Sequence, residues 1–185
     1  MNIKRPDTLT LFTYLREQQL GALRALGKPM LHLPYLMILY ASIDVFAYIR
    51  DGGSDKEAGT RFRAFCDKYL IPHIPEVTAF DLWGARCSTL HTASADSTAS
   101  NVGKARRLLY SGRSAQVPHL QKIIFSLPDR ETMVATSFQS LTGALEKSLD
   151  GFYEEMRRDE AMQADCDSRL SEIYGAVPAD GKATN

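Results

Sequence analysis

Leu31-His32-Leu33-Pro34-Tyr35-Leu36-Met37-Ile38-Leu39-Tyr40-Ala41-Ser42-Ile43-Asp44-Val45-Phe46-Ala47-Tyr48-Ile49-Arg50 is the stretch on which the fold turns. Its length approaches the roughly 20 residues of a membrane span. It also carries His32, Pro34, Ser42 and Asp44, which together are costly in lipid. The run therefore reads as a core helix that starts near Pro34, a residue suited to a first helical turn, and ends near Arg50, before the Asp51-Gly52-Gly53-Ser54 break. A helix that is apolar on nearly every side belongs at the centre of a bundle. Asp44 interrupts it one turn from Tyr40 and one turn from Tyr48, and a buried carboxylate requires a partner.

Working outward, Asp7 caps a first helix with Phe12, Leu15, Ala22, Leu23 and Leu26 at helical spacing, stopped by Gly27-Lys28-Pro29. On the other side, Ser54-Asp55-Lys56-Glu57 has capping-box spacing ahead of Phe62, Phe65, Cys66, Tyr69 and Leu70, which recur as one face of a third helix. Ile71-Pro72-His73-Ile74-Pro75 is a rigid connector, and Thr78 with Asp81 opens a fourth helix that fades near His91. Residues 92–101, rich in Ser, Thr, Ala and Asp, read as a linker.

Between about residues 104 and 127, Leu108-Leu109-Tyr110 and Ile123-Ile124-Phe125 read as the two strands of a short β-hairpin. Asp129 then caps a long helix marked by Val134, Phe138, Leu141, Leu145, Leu149, Phe152 and Met156. A last helical segment carries Leu170, Ile173 and Tyr174, and residues 177–185 read as a disordered tail.

At 185 residues the chain is long enough for one good core, with roughly 70% of its unfolded surface removed from water on folding. Lys and Arg number 22 against 22 Asp and Glu, so no overall field grips nucleic acid or anionic membrane, and binding of either kind must be local. The three cysteines, Cys66, Cys87 and Cys166, are odd in number and widely spaced, which suits a reduced cytoplasmic setting. The N-terminus shows no apolar signal segment. A zinc site from Cys66, His73, Cys87 and His91 would have no local ligand-pair spacing on its first two members, and no cofactor or metal is expected.

The segment with chemical potential is Phe80-Asp81-Leu82-Trp83-Gly84-Ala85-Arg86-Cys87-Ser88-Thr89-Leu90-His91, which sets an Arg and a His five positions apart beside the only Trp. A histidine titrates near neutral pH, and a guanidinium offers a fixed fork of donors for phosphate. Here the chain resembles the HEPN superfamily, helical bundles with an Arg-x(4–6)-His motif, and in particular bacterial members with an aromatic-Leu-Trp…Arg-Cys…Leu-His run. The resemblance covers the bundle from the second helix through His91. It implies metal-independent RNA cleavage by a homodimer that brings two motifs together, with His91 as general acid or base at the ribose 2′-hydroxyl and Arg86 on the scissile phosphate. The residue after the motif arginine is commonly polar in active members and is Cys87 here.

Five positions on an ideal helix turn through roughly 140° and rise about 7.5 Å, so Arg86 and His91 share no helix face. Their convergence needs a helix end or a second subunit. Arg86 is also the expected partner of Asp44, and that pair has two readings: it orients an active-site arginine, or it is a structural ion pair in a non-catalytic interaction or regulatory module. Cys87 and His91 at i, i+4 can be drawn as a thiolate pair, but no third orienting group is evident. Lys104, Arg106, Arg107, Arg113 and Lys122 cluster around the hairpin; they suit a nucleic-acid backbone, and equally an edge hairpin kept soluble by charge.

The expectation is thus a mainly α, HEPN-like up-and-down bundle in one domain, residues 1–176, with a hairpin insertion and a long C-terminal helix. Arg86, His91 and the supporting Asp44 form the site of an endoribonuclease or nucleotide-binding protein that acts as a homodimer, with RNA as its expected partner.

Overall fold

The computed structural model of the protein describes residues 6–27, 31–52, 57–91 and 103–174. Those residues form a mainly α structure with seven α-helices and a two-stranded sheet. Helix α1 spans Thr8–Gly27, with Asp7 Oδ1 accepting the Thr10 amide at 2.9 Å as its cap. Helix α2 spans His32–Asp51. It is the one described helix long and apolar enough to cross a membrane. Within it Leu39, Tyr40, Ile43, Phe46 and Ile49 are fully buried.

Helix α3, Ala58–Phe65, continues without a break into a wider π-helical turn, Cys66–Leu70, and a short 3₁₀ turn, Ile71–His73. Pro72 explains the change of pitch, because its ring clashes with the carbonyl four residues back, that of Lys68, and it has no amide to donate there. The Tyr69 carbonyl in the wide turn accepts the Ser148 hydroxyl at 2.8 Å. Helix α4, Ala79–His91, begins with the expected reciprocal cap: Asp81 Oδ2 accepts the Thr78 amide at 2.9 Å and Thr78 Oγ1 accepts the Asp81 amide at 3.1 Å.

The hairpin is not what forms. Strand β1, Arg107–Ser111, lies where it was expected, but Ile123, Ile124 and Phe125 end a helix, α5, Val117–Phe125. The second strand, β2, is Met133–Ser137, and it pairs with β1 in parallel from Arg107↔Met133 to Ser111↔Ser137. The reason lies in the spacing: Val117, Leu120 and Ile124 fall three and four apart, and Pro118 is at home in a first helical turn, whereas a three-residue apolar run cannot distinguish the two periods. Parallel strands require a crossover, and α5 supplies it while packing on β2. The long helix is corrected in the same step. Val134 belongs to β2, and the helix, α6, spans Phe138–Arg158, capped by Ser137 Oγ, which accepts the Ser140 amide at 2.9 Å.

Helix α7, Glu160–Tyr174, closes the described chain. The box at 54–57, the linker at 92–101 and the tail at 177–185 fall wholly or partly outside the described residues. Around α2 pack α1, α3, α4 and α7, while α6 packs against α1 and the π-turn. The core between them is aromatic. Phe12 meets Phe46 and Phe152 edge-on with ring centroids 5.4 and 5.3 Å apart, and Phe65 meets Phe152 at 5.9 Å. This frame holds the middle of α2 against the C-terminal half of α4, where Asp44 and Arg86 meet.

Candidate functional site

Asp44 reaches the edge of α2 rather than the core, and Arg86 comes to it from α4. Arg86 Nε donates to Asp44 Oδ2 at 2.8 Å, and Nη2 lies 2.8 Å from the same oxygen. The side chains keep 18% and 25% of their exposure, so the pair faces solvent along one edge. Burial pushes the Asp44 carboxyl above its ordinary value of 3.8, and the guanidinium of Arg86, helped by Arg61 and His91, offsets only part of that rise.

On its other edge the Arg86 guanidinium touches His91, with Nη1 and Nε2 3.1 Å apart. A guanidinium can only donate, so in this contact Nε2 is the acceptor. His91 is exposed and is the last residue of α4. The face of Trp83, one turn before Arg86, lies 5.0 Å below the guanidinium carbon. Trp83 is held in turn by Phe62 of α3, ring centroids 5.4 Å apart, and by Gly59, where an added Cβ would come within 2.9 Å of the indole. Arg86 is thus clamped on three sides, by carboxylate, imidazole and indole.

The pair borders a solvent-reached cleft of about 300 Å³ between α2, α3, α4 and α7, lined by Asp44, Tyr48, Arg61, Arg86 and Ile173 among others. Comparisons with family models, with curated proteins and with solved structures return no match. The chemistry of the cleft therefore has to be read from its own residues.

The basic residues of the sheet region lie apart from this cleft. Arg106 donates from Nη2 and Nε to Asp81 Oδ2 at 2.6 and 3.2 Å, and its amide donates to Asp81 Oδ1 at 2.6 Å. It is held at the first turn of α4, about 15 Å along the helix from His91. Arg107 pairs with Asp129 at 2.9 Å, while Lys104, Arg113 and Lys122 are exposed. Burial alone would raise the Asp81 carboxyl, but the hydrogen bonds from Arg106 and Thr78 outweigh it and hold the group below its usual value. Cys87 is half-buried. Among the described residues no three His, Cys, Asp or Glu side chains converge as metal ligands would.

Sequence reasoning missed two members of these networks. The Thr78–Asp81 spacing announced a helix cap, not a second, buried partnership with Arg106. Arg61, next to the core residue Phe62, carried no signal that set it apart from any other surface charge on an amphipathic helix.

Proposed function

We propose that this protein is a HEPN-like, cytoplasmic endoribonuclease that acts as a homodimer and cleaves RNA by attack of the ribose 2′-hydroxyl on the adjacent phosphorus. The observation that supports the reading is the contact of Arg86 with the exposed His91, 3.1 Å apart, where Arg86 also lines a solvent-reached cleft. A phosphate oxygen entering the site competes for the Arg86 Nη1–H bond and releases the His91 Nε2 lone pair. That nitrogen then takes the 2′-hydroxyl proton, O2′ forms its bond to phosphorus, and the P–O5′ bond breaks. The products are a 2′,3′-cyclic phosphate and a 5′-hydroxyl, whose oxygen takes its proton from water. Arg86 stabilises the charge that builds on the phosphoryl oxygens, and Asp44 keeps its fork in place.

The test is incubation of a defined RNA with wild type, Arg86→Ala and His91→Ala. Removing a general base or an electrostatic stabiliser costs on the order of 10²-fold or more in rate. If wild type leaves the RNA intact, or both variants cleave it as fast, the reading fails.

A second reading has its own observation: both Arg86 nitrogens that face Asp44 bond the same oxygen at 2.8 Å. In a non-catalytic interaction or regulatory module that pair locks α2 to α4. Arg86→Ala then lowers the melting temperature by several degrees in a protein that never binds RNA. An unchanged melting temperature sinks this alternative.

A further inference from the structure

Helix α4 has two sides. Arg86 and Trp83 stand on the one that meets Asp44 and Phe62, while Ala85, Ser88 and Thr89 stand on the other, where small side chains leave room. The room is a cavity of about 360 Å³ between α4, the first turns of α2 and strand β1. Its walls are aliphatic: Leu36 and Leu108 are buried, and Leu33, 42% exposed, marks its open side. Tyr110 and Phe138 also border it, but they stack on each other with ring centroids 5.5 Å apart, and the Tyr110 hydroxyl is bonded to that of Tyr40.

The polar groups in the cavity are few. No Lys, Arg, Asp or Glu is among the described lining residues. Ser88 Oγ donates to the Ala85 carbonyl at 2.9 Å. Thr89 is 5% exposed, and its hydroxyl has no hydrogen-bond partner among the described residues, which leaves both a donor and an acceptor for an occupant of the cavity. A buried hydroxyl in that state costs free energy until a ligand or water bonds it. The exposed His32 imidazole is the other polar group along the lining.

An aliphatic slot with one uncommitted hydroxyl suits a flat, neutral ring with polar atoms on its edge, and it disfavours a phosphate or carboxylate, which would lose water without gaining a cation. Position narrows the choice further. Residues three apart on a helix are surface neighbours, with Cβ atoms about 5–6 Å apart, and Thr89 stands in that relation to Arg86, as Ser88 does to His91. We infer that the cavity receives the unstacked base of the nucleotide whose 2′-hydroxyl His91 deprotonates, with Thr89 bonding the edge of that base. Proteins that read single-stranded RNA do so in this manner, by splaying a base out and bonding its edge. The inference rests on the proposed cleavage reaction for the position of the ribose, and it adds base selectivity to that reaction.

The substrates for the test are four 2′-O-methyl oligonucleotides, identical except for one ribonucleotide, A, C, G or U, so that each has a single 2′-hydroxyl and a single bond to break. Cleavage of each is followed with wild type, Thr89→Val and Leu33→Trp. Wild type is expected to cut the best of the four at least about tenfold faster than the worst, the discrimination that one net hydrogen bond provides. Thr89→Val keeps the shape of the side chain without its hydroxyl and is expected to level most of that preference. Leu33→Trp fills the cavity from its open side and is expected to raise KM for the favoured substrate. Thermal melting of each variant verifies that the fold is intact, and saturation-transfer NMR with the four nucleoside 3′-monophosphates reads binding without cleavage.

Equal cleavage of the four substrates by wild type, or a preference that Thr89→Val leaves unchanged, overturns the base pocket and leaves the cleavage reading standing. No cleavage of any substrate, with base-dependent saturation transfer that Thr89→Val abolishes, keeps the pocket and removes the nuclease. A wild type that neither cleaves the oligonucleotides nor binds the monophosphates overturns both.

Discussion

Arg86 Nη1 and His91 Nε2 lie 3.1 Å apart although the two residues stand on different faces of α4. The long arginine side chain bridges the angle between them. Asp44 and Trp83 hold the rest of the guanidinium, so its direction is set before any ligand arrives.

That clamp makes Arg86→Lys informative. Lysine keeps the charge but has no planar fork to span Asp44 and His91 together. We expect cleavage of RNA to fall by more than about tenfold, while single-strand binding by anisotropy retains its salt dependence. Equal cleavage rates for the two proteins would show that the fork geometry is irrelevant.

The Asp44–Arg86 pair is expected to respond asymmetrically. Arg86→Ala leaves a half-buried carboxylate without its guanidinium and costs about 1–3 kcal/mol at neutral pH. Asp44→Asn keeps an acceptor for Arg86 and removes a charge that burial disfavours, so its cost stays below about 1 kcal/mol. Urea unfolding of both variants measures the difference.

Acid titration separates Asp44 from Asp81. The Asp81 carboxyl is lowered, so its stabilisation is present above the unfolded value of 3.8 and is lost as pH falls through the lower folded value. Asp44 is raised, so the folded state binds the extra proton just above 3.8, and its contribution falls as pH rises through that window. The stability deficit of Asp81→Asn should therefore grow as pH rises toward 3.8, and that of Asp44→Asn should shrink just above it. At neutral pH Asp81→Asn is expected to cost about 1–3 kcal/mol, because the buried Asp81 position loses its charge-assisted hydrogen bonds while the partly exposed Arg106 stays solvated. Unfolding curves from pH 3 to 6 give both slopes.

Gly59→Ala reports on the support beneath Arg86. The new Cβ would stand 2.9 Å from Trp83 Cζ2, so the indole must move. Overpacking costs of about 1–3 kcal/mol exceed the helix-propensity gain of up to about 1, and the net effect is a loss of about 1 kcal/mol. Trp83 is the only tryptophan, so its emission reads the displacement directly. An unshifted spectrum with unchanged stability would mean the contact yields freely.

The Tyr40 and Tyr110 hydroxyls, 2.7 Å apart, join α2 to β1 in a buried setting. Tyr110→Phe strands the Tyr40 hydroxyl and costs about 1–3 kcal/mol, while Tyr40→Phe with Tyr110→Phe removes both polar groups. The double variant should be less destabilised than the sum of the two singles, as read by a double-mutant cycle.

The amino-acid sequence by itself determined those features in which cause and effect lie within a few residues. The apolar run from Leu31 to Arg50 made α2 a core helix, Thr78 and Asp81 made the cap of α4, and Asp44 in mid-run demanded a partner. Only the tertiary structure decided the rest. The parallel pairing of β1 with β2 depends on a crossover of some twenty residues, the Asp81–Arg106 pair on groups 25 positions apart, and the arrival of Arg61 in the cleft on how α3 docks against α2. A short apolar run such as Ile123-Ile124-Phe125 fits a strand or a helix equally well, and burial against distant elements selects between them. The site follows the same division: Arg86 and His91 stand out locally, but the guanidinium is aimed by Asp44 from another helix, and no spacing within α4 encodes that contact.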